Sequence, residues 1–169
     1  MTEPLDRFLA TLRIVAHEAT HLSYSLARLY AESIDGAWVA ALEAQPERAE
    51  RVEAFVSRFG RMQDTIGGKL LPRLLLAQAE TPGSQIETLN RAERLGVLEN
   101  VERWLEARAL RNRLAHEYVE DRSQFAGDLK LALGYAQMLI DTFGLIRKFA
   151  LDRMDVDEGR LPGNIPEIQ

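Results

Sequence analysis

Apolar residues recur at alternating spacings of three and four along most of this 169-residue chain. The first stripe is Leu5, Phe8, Leu12, Val15, Ala19, Leu22, Leu26 and Leu29. The last is Phe125, Leu129, Leu133, Ala136, Ile140, Phe143, Ile146 and Ala150. That period puts apolar side chains on one face of an α-helix. No stretch of useful length alternates apolar and polar residues as a half-buried strand does, and there is no internal repeat. The expected fold is all-α: an antiparallel helical bundle of about five helices with short connections. Long amphipathic helices that leave an apolar face spare also fit a homodimer.

Breakers divide the pattern. Asp35-Gly36 ends the first helix, a short apolar piece follows over 37–44, and Pro46 opens a second long helix, where a missing N–H costs little. That helix carries Val52, Phe55, Val56, Phe59 and Met62. Gly67-Gly68 and Pro72 predict a kink or break, followed by the cluster Leu70, Leu71, Leu74, Leu75 and Leu76. Ser84-Gln85-Ile86-Glu87 has the form of a capping box and predicts a helix from Ser84 to about Gly96. A fourth helix from about Asn100 is expected to bury Val101, Trp104, Leu105 and Leu114. One domain over 1–155 is expected, with an irregular tail over 156–169. The run Leu161-Pro162-Gly163-Asn164-Ile165-Pro166 cannot stay helical, so the tail is frayed or packed as an extended arm.

The composition, 46% hydrophobic and 28% charged, supplies a core. Cysteine is absent, which excludes disulfides and thiolate metal sites and fits a reducing compartment. The acidic start, Met1 to Asp6, lacks the apolar region of a signal peptide. No apolar run approaches the roughly 20 residues of a membrane span. A soluble, cytoplasmic protein without a membrane partner is the expectation. A net charge of −5 argues against a general nucleic-acid coat, but leaves room for a nuclease with a small basic site. Arg103, Arg108, Arg111, Arg113 and Arg122 fall close together, interleaved with Glu102, Glu106, Glu117, Glu120 and Asp121. For most of these a solvated charged face is the simpler reading.

His17-Glu18-Ala19-Thr20-His21 matches H-E-x-x-H, the pattern of zinc peptidases. Histidines at i and i+4 share a helical face, and the glutamate is placed to activate a water. A third ligand is not identifiable, and such enzymes bind peptide along a sheet edge. The zinc reading is therefore discounted, and no metal or cofactor is expected. The core stripe runs through Val15, Ala19 and Leu22, which leaves His17, His21, Tyr24 and Arg28 on another face: solvent, a dimer seam or the rim of a site.

The octapeptide Arg111-Asn112-Arg113-Leu114-Ala115-His116-Glu117-Tyr118 concentrates chemistry at the end of a helix. Arginine holds phosphate through a rigid fork of donors, and histidine moves protons near neutral pH. Asn112 can brace a phosphate oxygen with its amide. On one unbroken helix Arg111 and His116 sit about 140° apart. They converge if the helix ends or bends between them, or if two chains contribute. Each residue alone reads as a polar helix end, where basic groups meet free carbonyls.

As a set the octapeptide resembles the R-N-x-x-x-H-x-Y signature of HEPN-domain proteins of the HepT type. The stretch from Leu89 through Glu93, Leu95 to Leu98 and Val101 to Leu105 is similar to that family's run into the motif. The resemblance covers roughly residues 85–150. It implies a HEPN-like bundle that dimerises around a composite cleft. It further implies a metal-independent endoribonuclease, the toxin of a toxin–antitoxin pair, whose partner is a minimal nucleotidyltransferase. Arg111 would clamp the transition state, Asn112 would position, and His116 would serve as general acid/base. Tyr118 would line the cleft and accept AMP from the antitoxin. The alternatives are a non-catalytic substrate-binding partner of a nucleotidyltransferase, a structural helical dimer, and, last, the zinc peptidase.

Overall fold

The computed structural model describes residues 3–116 and 121–166, apart from the side chain of His116. The elements are α1 (Glu3–Tyr30), α2 (Gly36–Ala40), a 3-10 turn (Ala41–Ala44), α3 (Pro46–Thr65), a π-turn (Ile66–Leu70), α4 (Leu71–Ala77), α5 (Gln85–Leu95), α6 (Val101–His116), α7 (Arg122–Arg153) and a 3-10 turn (Glu158–Arg160). The described residues contain no strand. The structure is an all-α helical bundle.

The core forms because the stripes face one another. α1 packs on α3, α4 and α7, while α6 bridges α3 and α7. In the α1 stripe, Phe8 through Leu29 are buried and Leu5 is half-buried. All eight residues of the α7 stripe are buried. In α3, Phe55 and Phe59 stack at 5.9 Å between ring centroids. Local signals end the helices where expected. Ser84 Oγ accepts from the Glu87 N–H at 3.3 Å, and Gly96 caps α5 at φ +81°. That left-handed conformation is open to glycine without steric penalty.

Three expectations need correction, and of the two readings of the tail the packed one holds. The helix does not break at Gly67-Gly68 and Pro72. It widens into a π-turn, in which the Leu71 N–H donates to the Ile66 carbonyl five residues back. The shifted register accommodates a proline that would collide with the carbonyl four residues before it in a regular α-helix. Leu105 and Leu76 are exposed. Adjacent residues on a helix point about 100° apart, so the core takes Trp104 and Leu75, and α6 buries Ala107 and Leu110 instead of Leu105. The described part of the tail is packed: Val156 and Leu161 are buried, Arg147 Nε donates to the Pro162 carbonyl at 2.6 Å, and Arg160 Nη2 reaches Asp6 Oδ1 at 2.9 Å. Finally, α7 is long and apolar enough to cross a membrane by length and composition. The core uses that apolarity, since 56% of the apolar window is buried inside the fold.

Candidate active site around Arg111

α6 delivers the arginines of the octapeptide to different neighbours. Val101, Trp104, Ala107, Leu110 and Leu114 turn inward and fix the rotation of the helix. Arg111 then points across α3, where its Nη1 donates to Asp64 Oδ1 at 2.5 Å. Arg113 points to α7, with Nε 3.4 Å from Asp128 Oδ2 and Nη2 3.4 Å from Oδ1. Asp128 is buried and also accepts from Gln124 Nε2 at 3.1 Å. The two arginines thus hold α6 from both sides, and Asn112 stands exposed between them.

The route of Arg111 depends on Gly60. A Cβ built there lies 2.4 Å from Arg111 Nε and 2.9 Å from Cζ. The guanidinium therefore lies against the bare backbone of α3, in space any side chain would fill. It emerges in a cleft of about 480 Å³ between α3, the π-turn and α6. Arg61 and Lys69 line the same cleft, together with Asp64, Ser57 and Thr65. The π-turn contributes Lys69. Neither Arg61 nor Lys69 engages its side chain in a hydrogen bond or ion pair among the described residues. Three cations against one carboxylate make this a local basic site on an acidic protein.

Glu18 stands behind the cleft. Its Oε2 accepts from Thr65 Oγ1 at 3.0 Å, while Oε1 is buried without a partner. Burial pushes its carboxyl above the usual glutamate range, against the hydrogen bond from Thr65 and the charges of Arg61 and Lys69. The glutamate of the H-E-x-x-H pattern thus faces α3, while His17 and His21 are exposed on α1. Exposed Tyr24 and half-buried Arg28 continue that face, with Arg28 Nη1 donating to the Tyr24 hydroxyl at 2.7 Å. No group of three metal-ligating side chains occurs among the described residues.

The other basic residues near the octapeptide do not join one patch. Arg103 pairs with Glu99 and lies over the Tyr135 ring, and Arg122 pairs with Glu43. The backbone of α6 stays α-helical through His116. The roots of Arg111 and His116 are therefore about 140° apart around one axis. Tyr118 lies outside the described residues, as does the side chain of His116.

Sequence reasoning missed Gly60, Arg61, Asp64 and Lys69. One signal was present: a glycine inside an otherwise regular helix invites a search for a close approach. Compared with family models, curated proteins and solved structures, the chain matches none.

Proposed function

We propose that this chain is a metal-independent endoribonuclease of the HEPN/HepT kind, acting as a homodimer of antiparallel bundles. The observation that carries the reading is the seat of Arg111. Its guanidinium is led over Gly60 into a cleft that holds two further cations, Arg61 and Lys69. A phosphodiester meets there the fork of donors that stabilises a phosphorane. With α6 unbroken, the imidazole that serves this guanidinium comes from His116 of a second copy.

The chemistry uses the nucleophile that RNA carries. His116 of one copy takes the proton of the 2′-hydroxyl as that oxygen bonds to phosphorus. The bond from phosphorus to the 5′-oxygen breaks, and the other copy's imidazolium returns a proton to the leaving oxygen. Arg111 balances the charge of the phosphorane, and Asn112 orients a non-bridging oxygen. The products are a 2′,3′-cyclic phosphate and a 5′-hydroxyl. A minimal nucleotidyltransferase antitoxin silences the site by transferring AMP to Tyr118, whose added bulk and charge exclude RNA.

The test is incubation of purified protein with tRNA and mRNA in EDTA. Parent protein cuts, while Arg111→Ala and His116→Ala do not. Equal cutting by either variant ends the reading. A second reading has one observation in its favour: Asp64 already neutralises Arg111. In a non-catalytic binding partner of a nucleotidyltransferase that pair would persist, and the parent protein would bind the enzyme without cutting RNA.

A further inference from the structure

Two cavities meet at one wall. The basic cleft shares Val56, Ser57 and Ala115 with a second pocket of about 310 Å³. Val52, Glu53, Leu114 and Phe125 line that second pocket, whose surface is mainly apolar despite the one carboxylate. Cations on one side and hydrocarbon on the other match the two halves of a nucleotide. Phosphate needs donors and positive charge, and a base needs a flat apolar contact. Asp64 fits the same division, because its carboxylate sits on Arg111 as an anionic ligand would.

We propose that the two cavities form one nucleotide subsite for single-stranded RNA. A phosphodiester lies on Arg61 and Lys69 and displaces Asp64 from Arg111. The attached base enters the pocket of Val52, Leu114 and Phe125. The identity of the ligand rests on the ribonuclease reading. The phosphate half rests on Arg61 of α3 and Lys69 of the π-turn, outside the stretch that carries the family resemblance, while Leu114 and Phe125 of the base pocket lie within that stretch. Charge neutralisation by the α3 side would make affinity depend on salt, and the apolar pocket would make it depend on the base.

Fluorescence anisotropy on the whole protein tests both halves. The probes are a single-stranded 2′-O-methyl RNA oligomer, the same oligomer with abasic positions, and ATP as a free nucleotide. The double variant Arg61→Gln with Lys69→Gln should weaken oligomer binding by roughly tenfold at low salt. It should also reduce the salt slope by about 1.4, the share of two phosphate contacts on a single strand. The abasic oligomer should bind at least about fivefold more weakly than the base-bearing one. Ser57→Trp, at an exposed helical position on the shared wall, should abolish that difference while circular dichroism stays parental. Unchanged affinity in a folded double variant overturns the proposal, as does equal binding of the two oligomers. ATP binding without oligomer binding overturns it in favour of a mononucleotide site. A 2′-O-methyl chain has no free nucleophile, so binding and cleavage are scored apart. Parent protein that binds but never cuts natural RNA sinks the ribonuclease reading and leaves the subsite. Parent protein that cuts, with normal binding in the double variant, does the reverse.

Discussion

Gly60→Ala separates the structural and chemical roles of the cleft in one substitution. The added methyl lies 2.4 Å from Arg111 Nε, about 1 Å short of ordinary contact, which begins at 3.4 Å. The obstacle is the end of a flexible side chain, so Arg111 moves rather than the helix. A shift of that size takes its Nη1 from 2.5 Å to roughly 3.5 Å from Asp64 Oδ1, beyond hydrogen-bond range. The stability terms nearly cancel. Alanine gains about 0.8–1.0 kcal/mol over glycine inside a helix. The lost pair has side chains 32% and 54% exposed, so screening holds its worth to about 0.2–1 kcal/mol. The net change stays within about 1 kcal/mol, or about 2–4 °C in Tm for a chain of this length. Activity does not cancel in the same way. Removing a donor that stabilises a transition state costs about 100- to 1000-fold in rate, and a displaced donor should lose at least about tenfold. The assays are a thermal melt and RNA cleavage in EDTA, with Arg111→Ala as the lower limit. Parental cleavage by a stably folded Gly60→Ala protein would refute the assignment of Arg111. A drop of several kcal/mol in stability would show that the methyl meets more than a mobile guanidinium.

Three further outcomes are expected. Glu18→Gln should stabilise the protein as pH rises. Burial raises the Glu18 carboxyl above its ordinary range, so the folded state binds the extra proton and its contribution is fully present at low pH. That contribution fades as pH rises through the raised value, and denaturant titrations from about pH 4 to pH 7 should show a downward slope that the glutamine variant flattens. Arg113→Ala should cost about 1–2 kcal/mol in urea unfolding, because it leaves the buried Asp128 carboxylate with Gln124 alone; the figure lies below that of a fully buried pair because the Arg113 side chain is 45% exposed. Asp128→Asn should cost less, since its amide oxygen still accepts from both neighbours.

Helix boundaries were legible because they follow from local chemistry. Pro46, Ser84 and Gly96 act within one turn of themselves, and the structure puts helix ends at each. The stripes of α1 and α7 were legible because a period of 3.6 needs no knowledge of the partner. Side-chain destinations were not. Arg111 and Arg113 are two residues apart and identical in kind, yet one reaches α3 and the other α7. Their acidic partners lie 47 and 15 residues away in the chain. The π-turn was hidden for a related reason. Glycine and proline mark weakened helix, but whether the chain stops or widens depends on the packing that holds both sides, here against α1 and α5.

By itself the sequence determined an all-helical chain, the helix ends that local caps and prolines set, and the residue types gathered at the end of α6. Those outcomes depend on backbone preference and on the period of apolar side chains, which are properties of neighbours in the chain. The tertiary structure alone decided that Gly60 opens a path for Arg111, that Asp64 meets it there, and that Arg61 and Lys69 share its cleft. Those meetings depend on how far α6 is rotated against α3, and the burial of Trp104 and Leu110 against distant helices sets that rotation.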